Sequence, residues 1–127
     1  MSKETDNWLK IAKYDLRTAE VAFKNDLYIK VYENSHSALE KLLKGIIITN
    51  SKKPDKIHDL LRLASEAVIE TLQVEVKEIL DELNTIYFST RYPEDFDLIE
   101  EKLNKETTEK LLKEVRRIFS WLEKKLN

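Results

Sequence analysis

The sequence predicts an all-α protein, an up-and-down four-helix bundle with an additional short helix. Glycine occurs once and proline twice in 127 residues, whereas strand-rich folds need many turn residues. Apolar residues recur at steps of three and four over most of the chain, which is the period of amphipathic helices. The segments between these apolar stripes are mostly short, which favours antiparallel neighbours. We therefore expect residues 1–127 to form a single domain.

The N-terminal half contains two long predicted helices. The first begins near Thr5 or Asp6, either of which can cap the free amides of the first turn. Its apolar stripe consists of Trp8, Ala12, Leu16, Ala19 and Phe23. The polar pair Asn25–Asp26 follows it, and the second helix spans residues 27–49. The inward face of that helix consists of Tyr28, Val31, Tyr32, Ser35, Leu39, Leu42, Ile46 and Ile47.

The C-terminal half contains three predicted helices. After the polar loop 50–56, a short helix places Ile57, Leu60, Leu61, Ala64 and Val68 on one face. Another helix spans residues 74–89 and stops before a proline. Residues 91–104 form the longest irregular stretch, with room for a helical turn at 96–103. The last helix spans residues 105–126.

The composition excludes several classes of function. Cysteine is absent, so there is no disulfide, thiolate metal site or cysteine nucleophile. A single glycine cannot form a phosphate-binding loop. The net charge of −2 argues against a strongly basic nucleic-acid binder. No apolar run approaches the roughly 20 residues that span a bilayer, and we do not expect the start MSKETDNW to be a signal peptide. We therefore expect a cytoplasmic protein that does not enter a membrane.

The two histidines, His36 and His58, do not form a recognisable metal site. Neither has a histidine or carboxylate at a spacing typical of zinc or di-iron sites. The nearest candidate is His36 with Glu40, four residues apart. We therefore expect neither a metal nor a cofactor.

A polar row on the second helix is the first candidate site. His36, Glu40 and Lys44 are spaced by four and therefore neighbour one another along a helix. Each step of four advances about 40° around the axis, so the row should drift from the edge of the apolar stripe toward solvent or a partner. The structural alternative is an ordinary Glu40–Lys44 pair beside a half-buried His36.

Two loop-associated stretches contain further polar residues. Before the short helix, Asp59 favours the helix start electrostatically, and His58 can cap that helix or contact its neighbour. After the fourth helix, Arg91 lies at the mouth of the longest loop. An arginine beside Tyr92 can grip a phosphate and offer a ring to a base. The pair Arg116–Arg117 on the last helix is expected to be a solvated face.

Four stretches, in chain order, resemble the HEPN domain family. They are Trp8 to Ala19 with Ala12 and Asp15–Leu16, the run His36 to Lys44 (HSALEKLLK), His58–Asp59–Leu60, and Arg91–Tyr92–Pro93. The resemblance covers nearly the whole chain. It implies a five-helix bundle with a four-helix core, usually a homodimer. It also implies a small prokaryotic protein often encoded beside a minimal nucleotidyltransferase, in a toxin–antitoxin arrangement.

Many members of this family are metal-independent endoribonucleases, and this chain departs from their motif. Their signature is an arginine followed, after four to six intervening residues, by a histidine. No arginine here has a histidine at that spacing. A catalytic pair therefore cannot be assigned by motif. The missing motif argues against an enzyme but does not decide whether the protein has catalytic activity. Arg91 with His58 or His36, brought together across the bundle or a dimer, is the remaining candidate pair.

We favour a HEPN domain that binds a nucleotide, a partner minimal nucleotidyltransferase, or both. The candidate ligand-binding residues are Arg91 for phosphate, Tyr92 for stacking, Lys44 and Lys41 as supporting cations, and Glu40 and His36 as holders of the polar cluster. One alternative is a ribonuclease toxin with the displaced pair, acting on RNA. Another is a structural dimeric module in which Arg91 pairs with a carboxylate such as Glu40. Exposed aromatics near Trp121, Tyr92 and Phe96 are candidate dimer contacts.

Overall fold

The computed structural model describes residues 1–68 and 70–126, and the elements in these ranges are helices and turns without a strand. The helices are α1 (Lys3–Lys24), α2 (Tyr28–Thr49), α3 (Leu60–Ala67), α4 (Val74–Ser89), α5 (Phe96–Lys102) and α6 (Lys105–Glu123), with 3-10 turns at Pro93–Asp95 and Lys124–Leu126. The predicted all-α class is confirmed. Residues 69 and 127 of the predicted domain lie outside the described residues. Within the described ranges, no helix has the length and apolar character to cross a membrane.

Helix α2 is the central element of the fold. It packs against all five other helices, most extensively along α1. A connection of only three residues, 25–27, joins α1 to α2, so the two helices are antiparallel. The largest core cluster draws its buried aliphatic residues from α2, α3, α4 and α6 and includes Leu39, Leu42, Leu63, Leu83 and Val115. Because neighbours surround α2, nearly all its side chains between residues 31 and 47 are buried or half-buried.

Small residues allow α1 to lie close to α2. The inward positions of α1 include the fully buried Ala12 and Ala19. On α2, the only glycine of the chain, Gly45, faces Trp8, and a Cβ at position 45 would lie 3.2 Å from the Trp8 Cβ. That distance is tighter than ordinary van der Waals contact. Gly45 therefore removes a side chain where the two helices approach each other most closely.

Capping residues set the helix starts and explain two differences from the predicted boundaries. Helix α1 begins at Lys3 rather than near Thr5 or Asp6, because the Ser2 hydroxyl accepts a hydrogen bond from the Thr5 amide at 3.1 Å. Helix α3 begins at Leu60 and not at Ile57, the first apolar residue of the predicted helix. The reason is that the Asp59 carboxylate accepts hydrogen bonds from the backbone amides of Leu61 and Arg62 and so caps the helix. The helical turn expected at 96–103 is α5.

Two residues after the end of each long N-terminal helix, a non-glycine residue lies in the left-handed region. Asp26 has φ of 60° and Ser51 has φ of 61°. After Ser51, the amide of Lys52 donates to the carbonyl of Ile47 at 3.1 Å, the bond that closes a Schellman motif. A side chain in this conformation is strained, whereas glycine adopts it freely.

Replacing Ser51 by glycine is expected to stabilise the protein. Relief of the left-handed strain should raise the free energy of unfolding by about 0.5–1 kcal/mol, measured by urea denaturation. Ser120→Gly, at an exposed position inside α6, is the matched control. There glycine should lower the free energy of unfolding by about 0.5 kcal/mol. Equal destabilisation at both positions would contradict the analysis.

Candidate functional site

The polar row of α2 is buried. His36, Glu40 and Lys44 retain 0%, 2% and 8% of their accessible surface. The expected drift of this row toward solvent is therefore wrong, and so is the half-buried His36. The reason is that α1, α3 and α4 pack around α2 and cover the edge of its apolar stripe as well. A row of charged and titratable groups thus lies inside the fold.

Glu40 is the centre of this buried row. Its Oε1 accepts a hydrogen bond from Nδ1 of His58 at 3.0 Å, and its Oε2 accepts one from Nζ of Lys44 at 3.0 Å. Nζ of Lys41 lies 3.5 Å from Oε2. Burial alone would raise the pKa of Glu40, but the bonds from His58 and Lys44 and the nearby lysine charges outweigh it, so its pKa lies below the usual value. Glu40 is therefore a carboxylate.

This carboxylate orients His58. A carboxylate can only accept hydrogen bonds, so Nδ1 of His58 carries the proton that it donates to Glu40. The side chain of His58 is 55% exposed. When the ring is neutral, its other nitrogen, Nε2, is an unprotonated acceptor. The structure thus presents an imidazole that is anchored at one nitrogen and exposed to solvent.

Asn84 of α4 determines the tautomer of His36. The backbone amide of Leu60 donates to Oδ1 of Asn84 at 3.0 Å, while Nδ2 of Asn84 donates to Asp59 at 2.9 Å. Nε2 of His36 lies 3.2 Å from the same Oδ1, so it must carry a proton. Nδ1 of neutral His36 is therefore unprotonated, and it lies 3.8 Å from Oε1 of Glu40. Within the described chain this buried nitrogen has no hydrogen-bond partner.

His36 is neutral at physiological pH. Burial lowers its pKa to about 4, although the nearby Glu40 charge acts in the opposite direction. The fully buried ring cannot contact a ligand in this conformation. Its part in the site is to support the residues packed against it.

Tyr87 connects the buried row to Arg91. The Tyr87 and His36 rings are stacked, with centroids 3.9 Å apart and an interplanar angle of 10°. The guanidinium carbon of Arg91 lies 4.1 Å from the centroid of Tyr87. Two groups at these distances cannot occupy the same face, so Tyr87 lies between them. The His58 ring is 5.7 Å from Tyr87, which places the exposed His58 and Arg91 within about 10 Å of each other.

The fold thus brings most of the predicted site residues together. His36, Glu40, Lys41, Lys44, His58 and Arg91 form one connected group around Tyr87. Tyr92 is 57% exposed, and the ring that contacts Arg91 is Tyr87.

One alternative above is a purely structural module in which Arg91 pairs with a carboxylate such as Glu40. Among the described residues Arg91 forms no ion pair with Glu40, because Lys41, Lys44 and His58 already surround that carboxylate. On α6, Arg116 pairs with Glu20 and Arg117 pairs with Glu114 on the exposed surface. The expected solvated face of this pair is confirmed.

Tyr87 and Asn84 are site residues that the sequence analysis missed. The apolar period places Tyr87 on the core stripe of its helix, where an aromatic residue needs no other role. Its position only four residues before Arg91, near the end of the helix, was the available signal. Asn84 is visible in the sequence as a polar residue within the apolar face of α4.

Over the described ranges, no three His, Asp or Glu side chains are arranged to hold a metal ion.

Comparisons with known proteins agree with this fold. The HEPN domain family model matches residues 5–125. The crystal structure of TT1696 from Thermus thermophilus superimposes with a TM-score of 0.83 at 22% identity, covering 98% of this chain and 100% of that one. At this level of identity the likeness concerns the fold. No curated protein matches.

The neutral, buried His36 predicts a specific pH dependence of stability. Between pH 6.5 and about 4 the unfolded chain binds a proton at this histidine while the folded chain does not, so stability falls as the pH drops through this window. The slope from one such group is at most about 1.4 kcal/mol per pH unit. Thermal unfolding of His36→Gln, which keeps a donor toward Asn84, should show a flatter decline than wild type. An unchanged slope would contradict the buried neutral state.

Proposed function

Because this chain belongs to the HEPN domain family, we propose that it binds the phosphate of a nucleotide or of RNA through Arg91, His58 and Lys41, termed here the phosphate surface. The observation that carries the proposal is the exposed guanidinium of Arg91, held 4.1 Å over Tyr87 beside the anchored imidazole of His58. A guanidinium offers paired donors that match phosphate oxygens, and stacking on a ring preorganises it.

The exposed Arg91 favours an anion although the whole chain carries −2. Lys41 and Lys44 neutralise Glu40, whereas Arg91 forms no ion pair within the described residues. Glu40 is almost fully buried, so its charge is shielded from an incoming ligand by the residues that pair with it. The exposed ring of Tyr92, next to Arg91 in the chain, supplies a stacking surface for a base.

Family membership also supports a proposal for the biological setting. HEPN domains commonly dimerise, and we expect residues 1–127 to act as one domain in a cytoplasmic homodimer. A minimal nucleotidyltransferase in a toxin–antitoxin module is the proposed partner. The support for this partner is the chain's membership in a family whose prokaryotic members are often encoded beside such enzymes.

Nucleotide binding is tested by isothermal titration with AMP, ATP and GTP. Wild-type protein should bind at least one of them, and Arg91→Ala should weaken the affinity by about 10- to 100-fold, the loss expected for hydrogen bonds between charged groups. Arg116→Ala, which removes an exposed arginine on α6, is the control and should bind as wild type. Absence of binding by wild type, or equal loss in both variants, would refute the phosphate surface.

One observation favours a second candidate function, metal-independent cleavage of RNA. The Glu40–His58 pair resembles the carboxylate–histidine pairs in which the carboxylate orients an imidazole as a general base. Nε2 of His58 would take the proton from a ribose 2′-hydroxyl, and the 2′-oxygen would then attack the phosphorus. The bond between phosphorus and the 5′-oxygen of the next nucleotide would break, and that oxygen would take a proton from water. Arg91 would stabilise the charge that develops on the phosphate oxygens. His36 is too buried to act directly.

Cleavage is tested by incubating single-stranded RNA with the protein in EDTA. If His58 is the base, His58→Ala should slow cleavage by about 10²- to 10⁴-fold, the usual contribution of a general base. Glu40→Gln should also reduce the rate, because the imidazole loses its charged anchor, and the His36→Gln variant should stay active. RNA that stays intact at high concentrations of wild-type protein would exclude this function and leave the binding proposal standing.

A further inference from the structure

A groove that Thr90 helps to line is not used by the proposed function. It encloses a cavity of about 340 Å³ between the start of α2 and α5. Its apolar lining consists of Leu27, Tyr28, Ile29, Phe96 and Leu103. We call this feature the α5 groove. Its volume falls within the range of protein sites that accept a bound group.

The apolar side chains of the α5 groove are open to solvent. Leu27 is 56% exposed and Phe96 is 43% exposed, and the adjacent Leu98 on α5 is 59% exposed. Burying such residues against a partner is favourable at about 25 cal/mol per Å² of apolar surface. Exposed apolar groups gathered beside a cavity mark a binding surface more often than scattered single residues do.

The segment beside the groove is strongly acidic. Residues 94–101 include Glu94, Asp95, Asp97, Glu100 and Glu101, which form no ion pair within the described parts of the chain, and Glu100 among them lines the cavity. Asp26, Lys30 and Glu33 also line the cavity, and Lys30 is paired with Glu33 at 2.9 Å. Some exposed carboxylates elsewhere, such as Glu20 with Arg116, are likewise paired within the chain. The groove and the segment beside it therefore combine unneutralised negative charge with apolar surface.

We propose that the α5 groove docks a basic, amphipathic segment of a partner protein. Apolar side chains of that segment enter the cavity, while its lysine and arginine residues face the carboxylates of 94–101. Charge complementarity of this kind guides association and excludes wrong partners. A twofold contact between two copies of this groove would set acidic segment against acidic segment, which is unfavourable. The same charge repels nucleic acid and anionic membranes. This inference is independent of the phosphate surface.

A phage-displayed library of helical peptides, panned against the wild-type protein, tests the proposal. Enriched peptides should carry several lysine or arginine residues and apolar anchors on one face. Their affinity, measured by fluorescence anisotropy with synthetic peptide, should fall as salt is raised. Enrichment of acidic or uncharged peptides would overturn the proposal, and so would a failure to enrich any sequence.

Two groove variants and two controls locate the binding surface. Leu27→Ser and Glu100→Lys should each lower the affinity for the selected peptide by at least about 10-fold. The first removes an apolar contact, and the second replaces a carboxylate that would face the basic residues of the peptide. Serine is well tolerated at position 27, which is the N-cap of α2. Val74→Ser and Glu78→Lys make the same kinds of change at exposed positions on α4 and should bind as wild type. Equal binding by all four variants would place the peptide elsewhere and refute the groove.

The remaining outcomes separate this proposal from self-association and from nucleotide binding. If Leu27→Ser converts a dimer to a monomer in sedimentation experiments, the groove is an interface between copies and the proposal fails. If Arg91→Ala binds the peptide normally and Leu27→Ser binds nucleotide normally, the two sites are separate as proposed. Loss of both ligands in either variant, with melting unchanged, would show one shared site and overturn the inference.

Discussion

A buried carboxylate is the constraint on which the site depends. Glu40 lies in the middle of the central helix, and an unpaired charge in such a place would destabilise the fold by several kcal/mol. Hydrogen-bond donors must therefore converge on it, and they come from two directions. Lys41 and Lys44 come from α2 itself, while His58 comes from the segment that leads into α3. Satisfying this one charge fixes the position of the only exposed imidazole and ties the α2–α3 connection to the core.

The sequence predicts the fold well where local signals decide the outcome. Helix α2 is expected at residues 27–49 and spans Tyr28–Thr49, because its apolar period and the loop at Pro54 are local features. The start of α1 is misplaced because Ser2 and Thr5 are both good capping residues, and only the hydrogen bond between them selects one. The outward drift of the polar row is wrong for another reason. How many helices surround α2 is a tertiary property, which the period of one helix does not contain.

The candidate site could be predicted only in part from the sequence. The spacing of four groups His36, Glu40 and Lys44, which the structure places in one buried row, and the loop position draws attention to Arg91. That Tyr87 joins them could not be foreseen, because this depends on how α4 lies against α2. Asn84 illustrates the same limit. Its amide links His36 to the N-terminus of α3, so three elements must be in place before its role is visible.

The stacking of His36 on Tyr87 also has a consequence for spectroscopy. The centroid of the His36 ring lies 3.9 Å from that of the nearly parallel Tyr87 ring. The imidazole protons therefore experience the ring current of Tyr87, which moves their nuclear magnetic resonances away from those of an ordinary histidine. The chain has only one other histidine, His58, so the two sets of signals are assigned by a single substitution. Any ligand that draws Arg91 from the far face of Tyr87 would disturb this ring, and the buried imidazole would report occupancy of the site without an added label.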